Sequence, residues 1–316
     1  KALPMSKAAG DFFFPSDLET PAATPRPYRF QHRFGVPVRY HDIERFAGSS
    51  NLDLVEIHLS YKDLEINLDQ VLPTPQPIGL VVHAPELFAG DHTLDLCSAN
   101  DSYRRHSIEE LQRVVDISRE LRRRFECSEP VLLVTNVGGF SEHHHLERTE
   151  LHPLRQRLID SLDQINTADE VEIIPQTMPP FPWHFGGQRY HNLFVDSAFI
   201  QEFCKETGMR VCLDVSHSKL ASNHLNSSFS GFLKAILPFT AHLHLADAKG
   251  VDGEGLQIHD GEIDWVQLFS LMKQLAPEAT FIPEIWQGHK NNGEGAWLAL
   301  ERLENCVESG PQQKVA

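Results

Sequence analysis

The sequence predicts an α/β protein built as a single (β/α)8 TIM barrel with an extended N-terminal arm. Three observations carry this. Eight short apolar runs alternate with helical stretches. Several runs are near-continuous Val, Ile and Leu, as parallel strands buried on both faces require. No GxGxxG follows the first strand and no GxxxxGK(S/T) occurs, which sets aside a nucleotide-binding sheet. A chain of 316 residues, 41% of them hydrophobic, has room for one barrel of roughly 250 residues plus trimmings.

Residues 1–30 are rich in Pro, Ala and Ser around Phe12-Phe13-Phe14 and read as an arm or linker whose aromatic triplet is suited to docking. The barrel is expected over 31–308 and a polar tail over 309–316. Strands are expected at Val36–Tyr40, Leu54–Leu59, Gly79–His83, Val131–Asn136, Val171–Pro175, Arg210–Asp214, Ala241–Ala246 and Thr280–Ile285. Helical spacing of apolar residues marks Ser107–Phe125, Leu151–Ile165, Ala198–Thr207, Phe229–Leu237, Trp265–Leu275 and Gly295–Cys306. The stretch after Leu59 is a weak helix.

The net charge of −16 is a poor match to a duplex DNA binder, which normally carries a basic footprint. No apolar run of about 18 residues occurs, so no membrane span is expected. No charged-then-apolar leader is visible, which points to the cytoplasm, although the first residue is Lys and a preceding segment stays open. The five cysteines are scattered without a CxxC pair and read as free thiols in a reducing compartment.

In such a barrel the active site lies at the C-terminal ends of the strands. Polar residues collect there: His83 and Glu86 after strand three, Asn136 after four, Gln176 after five, Asp214 and His217 after six, His242, His244 and Asp247 on seven, and Glu284 on eight. Carboxylate oxygen together with imidazole nitrogen suits Zn, Mn or Co better than Ca. Asp214 has a second reading as a helix cap. Of His242 and His244, which share a strand face, His242 is deeper and reads as a satisfied core histidine. Glu284, alone in an apolar strand, is costly to bury without a partner. His143-His144-His145 reads as a solvated loop tip. Asp247 reads as an orienting or substrate-binding group, with a cap role nearly as fitting.

These residues resemble the xylose-isomerase-like barrel superfamily over roughly residues 35–305. Cys212-Leu213-Asp214-Val215-Ser216-His217, His242-Leu243-His244-Leu245-Ala246-Asp247 and Ile282-Pro283-Glu284 carry the D-x-x-H, H-x-x-D and final-strand Glu motifs in order. The resemblance implies one divalent metal ion held by Gln176, Asp214, His244 and Glu284. Gln176 stands where the sugar-acting members have a Glu, and a neutral amide cannot act as a base, which puts a two-base epimerisation in doubt. The type IV apurinic endonucleases of the same group need three zincs. His83, His217 and His259 resemble three of their ligands, but Asn136, Gln176 and Gln257 replace a His, a Glu and an Asp. The start of the barrel, Arg39–Asp42 and Glu56–Asp63, is similar to barrels attached to sialic-acid-synthase-like proteins, which implies an amino-sugar pathway.

The expectation is therefore a metal-dependent isomerase, epimerase or lyase acting on a sugar or sugar phosphate. Glu284, His217, His83 and His259 are the candidate proton-transfer groups, with Glu86 a further one. Trp183 and His184 would cover the substrate, and Arg189, Asp247, Lys249 and Lys290 would bind it. Alternatives are a metal-dependent hydrolase or nuclease and a non-catalytic sugar-binding barrel attached to a larger protein. A homo-oligomer stays open.

Overall fold

The computed structural model describes residues 23–184 and 187–308, with the side chains of 183, 184 and 187 outside that description. The eight apolar runs form parallel strands: β1 (Gly35–Val38), β2 (Leu54–His58), β3 (Gly79–His83), β4 (Val131–Thr135), β5 (Val171–Pro175), β6 (Val211–Asp214), β7 (Thr240–Leu245) and β8 (Thr280–Pro283). One ladder runs β1 to β5 in sequence order and a second runs β6 to β8. Parallel bridges from Phe34 to Phe281 and from Gln176 to Cys212 join the two ladders into a closed ring. The expected (β/α)8 barrel is what forms.

The helices between the strands are α1 (Ile43–Ala47), α2 (Leu68–Val71), α3 (Asp101–Arg122), α4 (Arg148–Leu162), α5 (Ser197–Thr207), α6 (Val215–His224), α7 (Phe229–Ile236), α8 (Trp265–Leu275) and α9 (Lys290–Glu308). Helix α3 starts six residues before its apolar periodicity does. Asn100 caps it by accepting from the Ser102 and Tyr103 amides, and the first turn has no fully buried residue. Asp196 and Asp264 cap α5 and α8 in the same way. After β2 the chain forms only a short 3-10 turn at Tyr61–Glu65 and the single turn α2. Within α9, Asn291, Asn292 and Gly293 are left-handed, so the regular helix begins after Gly293.

The described part of the expected arm is packed against the barrel. Tyr28 stacks on Trp297 and donates its hydroxyl to the Trp297 carbonyl at 3.2 Å. Phe30 meets Phe34, Phe269 and Phe281, and Arg26 pairs with Glu304 at 2.6 Å. These aromatic contacts bury area at the N-terminal end of β1 and β8 and fix residues 26–34 there. Phe12-Phe13-Phe14 and the 309–316 tail lie outside the described residues.

Inside the ring, Leu54, Val81, Val134, Ile174, Cys212 and Ile282, with Ala241, form an apolar plug. Side chains alternate along a strand, so the next inward position is two residues on. On those same strands that position holds Glu56, His83, Asn136, Gln176, Asp214 and Glu284. A polar layer thus sits directly above the plug at the C-terminal ends of the strands.

Candidate metal centre

Asp214 ends β6 and caps α6. Its Oδ1 accepts from the His217 amide at 2.8 Å, which turns Oδ2 towards the barrel axis. There Oδ2 is 3.1 Å from Gln176 Nε2 and 3.8 Å from His244 Nδ1. His244, fully inside β7, has Nδ1 at 2.7 Å from Glu284 Oε2 and 3.2 Å from Gln176 Nε2. Glu284 is anchored by its amide, which donates to the Leu245 carbonyl at 3.0 Å, and its carboxylate is partly open to solvent. One atom each of Asp214, His244 and Glu284 lies within 4.8 Å of the other two. Gln176 completes the ring. Its Oε1 points to His83 Nε2 at 3.2 Å, and rotating the amide would bring that oxygen to the centre.

The donor set fits a divalent cation. Two carboxylates converge on a buried point, and negative charge there needs a positive partner. His244 supplies one as an imidazolium. Burial would lower its pKa, but the acceptors around it, Cys212, Glu284 and Glu56, hold it well above the usual range. Burial likewise would raise the Glu284 carboxyl, and the facing His244 holds it well below its usual value. A cation held at Nδ1 would take over that proton's role, since a ligating imidazole must give up the proton there.

His83 belongs to the same cluster. Its ring stacks on His58 at 4.7 Å, lies 5.6 Å from His244, and its Nδ1 is 2.8 Å from the Ala84 carbonyl. Burial and the neighbouring His58 lower its pKa. His217 stands at the rim with both nitrogens facing acceptors: Nδ1 is 2.8 Å from the Thr177 carbonyl and Nε2 is 3.0 Å from Glu254. Burial would lower its pKa, but Asp214 and Glu254 push it up to about 10, which favours the protonated ring.

Other expected groups stand elsewhere. His259 has a left-handed backbone and its Nε2 lies 3.3 Å from Cys306 Sγ, away from the cluster. Asp247 is fully buried and its two oxygens accept from four donors: the amides of Ala248, His259 and Ile263 and the Trp265 indole, at 2.9–3.1 Å. It organises the loop after β7 and has no oxygen turned towards the cation position. Arg189 lies over the Phe140 ring, 3.8 Å from Glu142. Lys249 is the exposed last residue of the otherwise buried hairpin strand Asp247–Lys249, and Lys290 donates to Gln287 at 3.0 Å. Glu86 is exposed and accepts from Asn136 Nδ2. Trp183 and His184 form a hairpin strand with Gly187–Gln188, and their side chains lie outside the described residues. Gln257 is buried with its amide spent on the Gly295 carbonyl and the Ile258 amide.

Sequence reasoning gave no site role to Glu56 and His58. Glu56 sits on β2 with no exposure, surrounded by His58, His242 and His244. The signal was present: a lone acid inside the apolar strand Leu54–His58, as with Glu284 in β8. A cavity of about 440 Å³ opens beside the cluster, lined by Pro37, Arg39, His58, Glu284, His289 and Trp297 among others. Glu284 and His58 therefore face both the cation position and a space large enough for a small molecule.

The family described as xylose isomerase-like TIM barrel matches residues 45–306. The chain belongs to that family. Among solved structures it is similar to a D-tagatose 3-epimerase-like protein, at 20% identity and a TM-score of 0.62 over 87% of this chain and 97% of that one. It is also similar to an L-ribulose 3-epimerase, at 14% identity and 0.56 over 86% and 95%. Endonuclease IV from Thermus thermophilus gives 17% identity and 0.54 over 86% and 99%. At these identities the likeness carries the fold alone. No curated protein matches the sequence. Within this xylose isomerase-like barrel, the polar layer occupies the strand ends at which enzymes of the fold place their chemistry.

Proposed function

We propose that the chain is a metal-dependent isomerase, epimerase or lyase acting on a sugar or sugar-phosphate-like polyhydroxy carbonyl compound. The observation that carries this is the convergence of Asp214, His244 and Glu284 within 4.8 Å at the edge of the cavity. Gln176, Asp214, His244 and Glu284 would hold one Zn, Mn or Co ion. Such an ion supplies polarisation of a carbonyl or hydroxyl oxygen.

The chain's residues supply the rest. Glu284 opens to the cavity beside the cation position, which places its carboxylate to take a proton from carbon next to a carbonyl. Gln176 is neutral and has no basic group to offer from the other side, so Glu284 is the single carboxylate base of this reading. His217, its protonated ring favoured at the rim, would attract an anionic or oxygen-rich part of the substrate. The likeness to a D-tagatose 3-epimerase-like protein and an L-ribulose 3-epimerase supports a sugar substrate. The endonuclease reading is weaker, because Gln257 and His259 turn away from the cluster and Asn136 faces Glu86.

The test is metal content per chain in protein purified without chelator, compared with Glu284→Ala. About one Zn, Mn or Co per chain, lost in the variant, is expected. Exchange of substrate hydrogen in deuterated water, screened over ketohexoses and their phosphates, then identifies the reacting carbon. Two or three zincs would turn the reading to hydrolysis. No metal after reconstitution would sink it in favour of a binding module.

A further inference from the structure

Glu56 is buried to zero exposure in β2, and the groups around its carboxylate are imidazoles. His58 Nε2 is 2.7 Å from Oε1, and His242 Nε2 is 2.8 Å from Oε2. His244 Nε2 is 3.0 Å from Oε1 and 3.1 Å from Oε2. Of these contacts the one from His244 has hydrogen-bond geometry, whereas His58 and His242 approach the carboxylate without that alignment; an ionised carboxylate only accepts, so His244 Nε2 presents a hydrogen to it. With its Nε2 hydrogen committed to Glu56, His244 has Nδ1 left to carry a proton in the metal-free protein or a cation in its place. That nitrogen points at Asp214, Gln176 and Glu284. His242 Nδ1 meets the Thr280 hydroxyl at 2.6 Å. His58 Nδ1 lies 3.9 Å from Glu284, at the wall of the cavity.

We propose that Glu56 is the positioning residue of the metal centre. The buried carboxylate takes the Nε2 hydrogen of His244, which fixes that ring with Nδ1 turned to the cation position. This rests on the metal reading given above. A carboxylate behind a ligating imidazole orients the ring and raises its basicity. His242 links the arrangement to β8 through Thr280, so the carboxylate also ties β2, β7 and β8 together across the barrel interior.

The experiment measures zinc affinity by competition with a chelating dye for the wild type, Glu56→Gln, Glu56→Asp and Glu284→Ala. Long-range proton–nitrogen NMR of zinc-loaded protein carrying nitrogen-15 histidine reads the tautomers. Glu56→Gln keeps the shape but removes the charge and can present a donating amide to His244 Nε2. The expected result is zinc binding weakened about 10–100-fold and loss of the Nε2–H tautomer of His244. A merely structural role would leave the tautomers of folded protein unchanged. Wild-type affinity with the same tautomers in Glu56→Gln would overturn the proposal. If that variant does not fold, Glu56→Asp, which keeps the charge but falls one methylene short, carries the test with the same criterion. Loss of zinc in Glu284→Ala with wild-type binding in the Glu56 variants would sink this inference alone. A wild type that binds no zinc would sink it together with the functional reading.

Discussion

Asp214 divides its carboxylate between two tasks, since Oδ1 caps α6 and Oδ2 faces His244. Asn ranks with Asp as a cap but is neutral. Asp214→Asn is therefore expected to keep α6 capped and to sharply weaken zinc binding, with a modest fall in the melting temperature of metal-free protein as His217 and His244 lose a facing charge. Melts with and without zinc read both effects; a large drop without metal would mean the charge itself serves the fold. Asp247 is the opposite case. Removing a carboxylate that satisfies four buried donors strands groups that each cost roughly 1–3 kcal/mol. Asp247→Ala is expected to destabilise the protein by several kcal/mol, about that per-donor cost summed with partial relaxation. The folded fraction should keep its zinc. Wild-type stability in chemical denaturation would contradict this account of the loop.

At the scale of elements, alternation along the strands converts a sequence pattern into a layered interior, with apolar residues at the plug and chemistry two residues on. The strand ends then need loops that leave the mouth open, and the segment after β8 shows how one does it. Asn291, Asn292 and Gly293 take three successive left-handed conformations beside the cavity, and the Trp297 indole donates to the Asn292 carbonyl at 2.9 Å. Asn is the residue that tolerates this region best after Gly. At Gly293, with φ of +83°, an added Cβ would meet Phe46 Cε1 at 2.9 Å and Trp297 Nε1 at 3.0 Å. Gly293→Ala is expected to cost on the order of 1–2 kcal/mol from the left-handed backbone alone. Thermal unfolding measures it, and an unchanged midpoint would show that the segment relaxes freely.

For the whole molecule, closure of the ring brings β2 and β7 to face each other across the axis, and the cation position couples their ends to β6 and β8. Metal that binds only the folded ring stabilises it by mass action, by about 2.7 kcal/mol at a hundredfold excess over the dissociation constant. The melting temperature is therefore expected to rise with zinc concentration and fall on chelation, with no such response in Glu284→Ala. The net charge of −16 also repels a polyanion. Binding of duplex DNA with an abasic site at physiological salt is expected to be undetectable by fluorescence anisotropy, and tight binding would reopen the nuclease reading. Among the described residues no helix is long and apolar enough to cross a membrane.

The sequence by itself determined the eight strands, their parallel order and the strand ends at which polar residues gather, because period, composition and spacing are local properties. It also singled out Asp214, His244 and Glu284, since an ionisable group in an apolar strand is legible wherever it stands. It had the same kind of evidence for Glu56 but nothing that joined it to His244, which is 188 residues away and within 3.1 Å. Likewise Asp247 and His259 carry the residue types of a site, and their side chains are spent on Trp265, Cys306 and loop amides. Whether a polar side chain faces the axis or a neighbouring loop depends on which partners the closed barrel brings within hydrogen-bond reach. That was decided only by the tertiary structure, because a short-range interaction has no trace in a sequence until folding makes distant residues neighbours.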